Sequence, residues 1–279
     1  MTPQGFAVLA QLLRETSGLI IGPDRLYLLE TRLAPILRAE GLADLDALAL
    51  RLRAGGAPAL AASVVEAMTT NETSFFRDDA PFAHVRTQAL PRLHAARQGG
   101  VKLRLWSAAA STGQEAYSLA MVLHELRPLL GARPAEIVGT DLAQAPLARA
   151  EAGLYSQFEV QRGLPIRMLL AHFRKEGEMW RVGEHLRAMA QFRVCNLLGD
   201  LRALGRFDLV FCRNVLLYFE PATRARVLAA IARQMMPDGL LYLGGAETVL
   251  GISERFAPVP DARGVYALAT AQSMAGAAG

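Results

Sequence analysis

Across the first 70 residues the apolar positions recur at helical spacing and read as helices without strands. Phe6, Leu9, Leu12 and Leu13 form one stripe, and Leu26, Leu29, Leu33, Ile36 and Leu37 form a second. Pro35 falls inside the second stripe and is expected to kink or shorten that helix, because it lacks an N–H and crowds the preceding turn. Gly41 and the Gly55-Gly56 pair are the expected helix stops. Arg25 and Arg32, seven positions apart, are expected on one side of the second helix. This region reads either as a helical cap on the main domain or as a substrate-recognition face.

From residue 103 the period changes. Residues 103–106 are a short apolar run that suits a buried strand, followed by small residues (Ser107 to Gly113) and then a helix whose stripe is Leu119, Val122, Leu123 and Leu126. Strand, small-residue turn and helix together predict the first βα unit of a nucleotide-binding sheet, whose ligands sit at the C-terminal strand edge. Further strands are expected at 136–141, 192–195, 207–219 and 240–243, with a helix at about 222–236 and a Pro237-Asp238-Gly239 turn between the last helix and strand. Two short runs near the C-terminus, FAPVP and GVYALA, predict a closing antiparallel pair. Residues 155–192 break the rhythm and read as a small β insertion of two strands around Gly177. The expected organisation is a helical domain over 1–70, an α/β domain with a doubly wound sheet over 71–270, and a flexible tail over 271–279.

Composition narrows the function. With 52% hydrophobic and 20% charged residues the chain is of globular type. No basic region precedes a long apolar run, so no signal peptide is expected, and no uncharged apolar stretch approaches the roughly 18 residues of a membrane span. The two cysteines, Cys195 and Cys212, lack a redox or metal spacing and suit a reducing cytoplasm. The five histidines are scattered without an HExxH, so no metal is expected. Between Gln161 and Arg193 seven basic residues face three acidic ones, which accounts for the net charge of +4. Such a patch is either a solvated face or a docking surface for an acidic partner, and without interleaved aromatics it is no nucleic-acid groove.

Candidate chemistry lies at three places. Only Gly113 stands where a dinucleotide fingerprint has three glycines, which speaks against a nicotinamide-dependent oxidoreductase. Thr112 to Glu115 fits a capping box as well as a ligand site, so the role of Glu115 stays open on this pattern alone. Asp141 ends a strand 28 residues beyond Gly113 and suits a ribose ligand or a helix cap. The polar run from Thr69 to Ser74, followed by Phe75-Phe76-Arg77, is richer in hydrogen-bonding side chains than a linker requires.

The segments NETSFFRD, LWSAAASTGQEAYSLAMVL, GTDL, VCNLL, FDLVFCRNVLLYF and PDGLLYLGGAET occur in the order found in CheR-type chemotaxis receptor glutamate methyltransferases, which the chain resembles over nearly its whole length. The resemblance implies a Rossmann-like methyltransferase fold with an antiparallel last strand, and a cytoplasmic, monomeric enzyme. That enzyme would use S-adenosylmethionine, release S-adenosylhomocysteine, and esterify glutamates on the cytoplasmic helices of methyl-accepting chemoreceptors, without membrane insertion. By matching positions it implies cofactor contacts at Asn71, Thr73, Arg77, Glu115, Asp141, Asn196, Leu197, Arg213 and Asn214, with Arg77 and Tyr218 beside the transferred methyl. Ala110 and Gln114 depart from the family's usual Cys and Glu. The insertion resembles the subdomain that grips a receptor tail in some members, with a shorter turn. Two rival readings share these cofactor motifs: a same-fold methyltransferase with another substrate, and a non-catalytic cofactor-binding module.

Overall fold

The computed structural model describes residues 1–97, 100–131 and 133–269; the expected tail at 271–279 lies outside them. The chain divides into two compact units, one formed by Met1–Thr70 with Tyr218–Thr223, the other by Asn71–Leu217 with the chain from Arg224 onward.

The first unit is built from α1 (Pro3–Ser17), α2 (Leu26–Glu40), α3 (Leu45–Arg53) and α4 (Pro58–Met68). Thr2 caps α1 by accepting the Gly5 N–H, and Gly18 ends it at φ 75°, where a Cβ would stand 2.9 Å from the Phe219 ring. Two features differ from a plain reading of the sequence. Pro35 does not shorten α2, which runs 15 residues; the one lost backbone bond is outweighed by the wholly buried Leu29 and Leu33. Arg25 lies in a separate 3-10 turn, Pro23–Arg25, and Arg32 turns back onto the end of α4. The Arg32 guanidinium donates to the Met68 carbonyl at 2.7 Å, the Thr69 carbonyl at 3.0 Å and the Thr70 hydroxyl at 3.2 Å. Helix-end carbonyls lack intrahelical partners and attract a cation, so Arg32 is a cap and presents no recognition face.

The second unit holds a seven-stranded sheet in the order β6-β2-β1-β7-β8-β10-β9. Its strands are β1 (Leu103–Ala108), β2 (Ala135–Asp141), β6 (Ala190–Val194), β7 (Phe207–Cys212), β8 (Met235–Leu243), β9 (Phe256–Pro258) and β10 (Val265–Leu268). β1, β2, β6, β7 and β8 run parallel; β10 is antiparallel to β8 and to β9. The chain starts in the middle of the sheet and works outward to both sides, which puts the reversal of strand order beside β1. Trp106, fully buried, stacks on Phe207 at 5.4 Å and donates its indole N–H to the Thr140 hydroxyl at 2.8 Å. The expected Pro237-Asp238-Gly239 turn is instead part of β8. The β7–β8 register jumps from Phe207↔Met235 to Leu209↔Leu240, so the extra residues are taken up as a bulge.

The insertion is larger than the two strands expected. It is a three-stranded antiparallel sheet of β3 (Leu154–Ser156), β5 (Met179–Val182) and β4 (Phe173–Glu176), in that order, with short helices between. β3 escaped the periodicity because it is only three residues long. Its Tyr155 is fully buried against Phe75 and Phe173. β6 begins at Ala190, so the main sheet resumes earlier than expected.

Candidate active site

Register brings the motifs to one edge. Ala108 pairs with both Thr140 of β2 and Cys212 of β7, Asp141 pairs with Val194 of β6, and Cys212 pairs with Leu243 of β8. The chain therefore leaves β1, β2, β6, β7 and β8 at one level, with Ser111, Asp141, Asn196, Arg213 and Gly244 all at or just beyond it. Of the seven described non-glycine residues with positive φ, six lie in these turns or in the segment after Asn71: Phe76, Asp78, Asp79, Ala109, Ser111 and Asn214. Each conformation costs on the order of 1–3 kcal/mol, and such strain collects where a site over-determines the backbone.

The first cluster centres on Arg213. Its side chain is 2% exposed and its guanidinium donates to Asp78 Oδ2 at 2.6 Å, the Arg77 carbonyl at 2.8 Å and Glu115 Oε2 at 3.2 Å. Glu115 also accepts from the Ser107 hydroxyl at 2.8 Å. Burial pushes the Glu115 carboxyl above the usual range, against the pull of Arg213, Ser107 and Arg77. Glu115 makes no capping box: Gly113 is the N-cap of the Gln114–Glu125 helix and Thr112 spends its hydroxyl on Gln114. Gly113 itself serves packing and backbone shape. Its φ is 90°, and a Cβ there would lie 2.7 Å from Ala150 Cβ.

A second cluster holds the turn after β1. Asp141 is buried, accepting the Ser111 N–H at 2.8 Å with one oxygen and the Ala143 N–H at 3.0 Å with the other. The Ser111 hydroxyl donates to the Asn71 carbonyl at 2.8 Å, so the segment carrying Asn71 and the half-buried Thr73 is fastened to the same turn. Tyr155 of the insertion donates to the Thr112 carbonyl at 2.7 Å. Asn196 and Leu197 follow β6; the Asn196 side chain accepts the Leu198 N–H at 2.9 Å, and Leu197 is buried. Arg77 is half-buried and donates to the Glu72 carbonyl at 3.1 Å. Tyr218 ends the 3-10 turn Leu216–Tyr218, is half-buried, and its carbonyl accepts the Ile20 N–H at 3.3 Å within the helical unit.

Sequence reasoning missed Glu247. Its buried carboxylate accepts backbone N–H bonds from Asn214 and Gly244 at 2.7 Å on one oxygen, and from Val215 and Leu216 at 2.9 and 2.7 Å on the other. One anion thus ties the turn after β8 to the turn after β7. The signal was a charged residue after two glycines in PDGLLYLGGAET, where an apolar turn would have sufficed. Beside it opens a cavity of about 680 Å³ whose lining includes Arg77, Asp78, Arg213, Asn214, Glu247 and Arg263. Cys212, at the end of β7, is no nucleophile: burial, with Glu247 and Glu115 nearby, drives its thiol well above the usual range.

Residues 71–265 match the family model described as CheR methyltransferase, SAM binding domain, and residues 4–69 match the CheR methyltransferase all-alpha domain. The chain belongs to the CheR methyltransferase family. It is 38% identical to chemotaxis protein methyltransferase 1 of Pseudomonas aeruginosa, over 93% of this chain and 96% of that protein. It is 36% identical to chemotaxis protein methyltransferase Cher2 of Pseudomonas putida, over 91% and 93%. Among solved structures, a glycopeptide N-methyltransferase complexed with sinefungin aligns at a TM-score of 0.37 and 15% identity, covering 63% of this chain and 52% of that one.

As a CheR methyltransferase the chain is an S-adenosylmethionine-dependent enzyme of Rossmann-like fold. The donor set suits that cofactor, which carries a sulfonium and an ammonium group beside ribose hydroxyls. Two carboxylates, the half-buried Glu115 and the buried Asp141, stand at the sheet edge, and Arg213 Nε is a buried donor without a protein partner. Among the described residues no helix is long and apolar enough to cross a membrane.

Proposed function

We propose that this CheR methyltransferase esterifies glutamate side chains on the cytoplasmic helices of methyl-accepting chemoreceptors. Asn71, Thr73, Glu115, Asp141, Asn196, Leu197, Arg213 and Asn214 would hold the cofactor, which supplies an electrophilic methyl group when bound. Arg77 and Tyr218 would orient the incoming carboxylate. The supporting observation is the state of the cavity lining. Among its described residues none is a histidine, and both carboxylates are occupied, Asp78 by Arg213 and Glu247 by backbone N–H groups.

A site without a free base suits a nucleophile that arrives ionised. A glutamate carboxyl has a pKa of about 4.3, so at neutral pH it is that nucleophile. Anion and cation lose charge as they react, so bulk water, which solvates the separated reactants, opposes the step. The chain's task is alignment and exclusion of water. Arg77, which donates to the Glu72 carbonyl, would share a hydrogen bond with the substrate without neutralising it; a tight ion pair would stabilise the ground state as much as the transition state. The names of the curated relatives support a chemotaxis substrate.

The test is transfer of a methyl-labelled cofactor to the cytoplasmic fragment of a chemoreceptor. Label is expected on the fragment, released as methanol by mild alkali, and lost when the modified glutamates become glutamine. Alkali-stable label would mean that nitrogen or carbon, not a carboxylate, is methylated.

A further inference from the structure

Three of the five histidines, 48 and 13 residues apart in the chain, meet on the face of the second unit where the insertion packs on the sheet domain. His124 lies in the last turn of the Gln114–Glu125 helix. His172 ends the Ile166–His172 helix and His185 lies in the Glu184–Arg187 turn, both within the insertion. Their ring centroids are 4.8 to 5.3 Å apart and one nitrogen of each lies within 4.8 Å of the others. His172 Nδ1 and His185 Nε2 are 3.1 Å apart.

The backbone is shaped around this group. The Gly183 N–H donates to the His172 carbonyl at 2.7 Å, which fixes the two histidine segments to each other. A Cβ on Gly183 would stand 2.6 Å from His185 Cε1, so a larger residue there would displace the ring from its present position. His172 is buried, His124 half-buried and His185 exposed, giving three imidazoles with an open side toward solvent.

We propose that His124, His172 and His185 form a binding site for a divalent transition metal of the zinc type, clamping the insertion to the helix whose first turn carries Glu115. Zinc binds imidazole nitrogen at about 2.0–2.1 Å, so two tetrahedral ligands stand roughly 3.4 Å apart, close to the spacing of the His172–His185 pair. A rotation of the His124 side chain brings in the third nitrogen. The fourth position faces solvent and takes water. An all-imidazole set favours zinc, copper or nickel over magnesium or calcium, which take oxygen ligands.

The experiment is calorimetric titration of the untagged full-length protein with Zn²⁺ against a competing chelator, with Co²⁺ as a spectroscopic probe. One equivalent of Zn²⁺ is expected, with a raised thermal midpoint and the intense visible bands of four-coordinate Co²⁺. His185→Ala removes an exposed side chain, and both it and His124→Ala are expected to weaken Zn²⁺ binding by more than tenfold while leaving the metal-free midpoint within a degree or two. Cys195→Ser is expected to bind as the wild type does. No binding at micromolar Zn²⁺, or binding that survives His185→Ala and His124→Ala, would overturn the proposal and leave the 3.1 Å pair as a hydrogen bond between neutral imidazoles. Loss of binding in Cys195→Ser alone would assign the metal to the thiol and overturn it equally.

Discussion

At the scale of single residues, the charges of the site differ in how far they are already committed. Arg213 is enclosed by Asp78, Glu115 and the Arg77 carbonyl, whereas the half-buried Arg77 lines the cavity holding a single backbone acceptor. Arg77→Ala is therefore expected to lower kcat about a hundredfold with little change in the KM for receptor, because an aligning contact is lost; a change confined to KM would make Arg77 a binding residue only. Tyr218→Phe removes a hydroxyl alone, and a fall in kcat of about tenfold is expected if that hydroxyl orients the carboxylate. Unchanged turnover would leave Tyr218 as a packing residue of its turn. His84 ties stability to pH. Its Nδ1 lies 2.9 Å from the Tyr242 hydroxyl, and burial, aided by Arg92, holds its pKa below the usual histidine value. The unfolded chain then binds more protons below about pH 6.5, so stability is full above that pH and is lost as pH falls through the folded value. Thermal midpoints measured from pH 7 downward should fall in the wild type and fall less in His84→Gln.

Among the elements, the turns beyond β7 and β8 are the least intuitive part of the site, since neither is regular and both are held by one side chain. Glu247→Gln keeps the volume but sets an NH₂ group against backbone N–H donors that now meet a carboxylate. A loss of about 3 kcal/mol is expected in denaturant unfolding, from hydrogen bonds to a charged acceptor, together with weaker cofactor binding. A loss under about 1 kcal/mol, the worth of one ordinary hydrogen bond, would show that the two turns hold without it. Elements also differ in how legible they were in the chain. β1, β2 and β7 announced themselves because a parallel central strand is apolar on both faces, and Phe207–Cys212 is buried at every position. β3 was too short to show a period, and the β8 bulge contradicted the ordinary turn reading of Pro-Asp-Gly because pairing with β7 overrode local preference. Arg32 looked like a surface cation by spacing, and only the fold revealed the α4 carbonyls it caps.

For the whole molecule, three of the seven basic residues in the patch over 161–193 are paired within the chain. Arg162 pairs with Glu72, Arg181 with Glu176 and Arg167 with Glu125 at 3.7 Å, exposed pairs of the kind a solvated face carries. The histidines gave the opposite lesson. Spacing along the chain gave no sign that His124, His172 and His185 meet, because residues drawn from three separate helices leave no local motif; only packing of the insertion brings them together. What the family match adds to the geometry is the cofactor, and what the geometry adds to the match is a lining compatible with a substrate carboxylate: among its described residues there is no histidine, and its two carboxylates are held by Arg213 and by backbone N–H groups. The pH dependence of kcat under saturating cofactor and receptor tests that claim most directly. A nucleophile ionised near pH 4.3 and a site without a general base predict a level rate from about pH 6 to pH 8. A rate that climbs tenfold per unit across that interval would reveal a group that must first lose its proton, and would contradict the account.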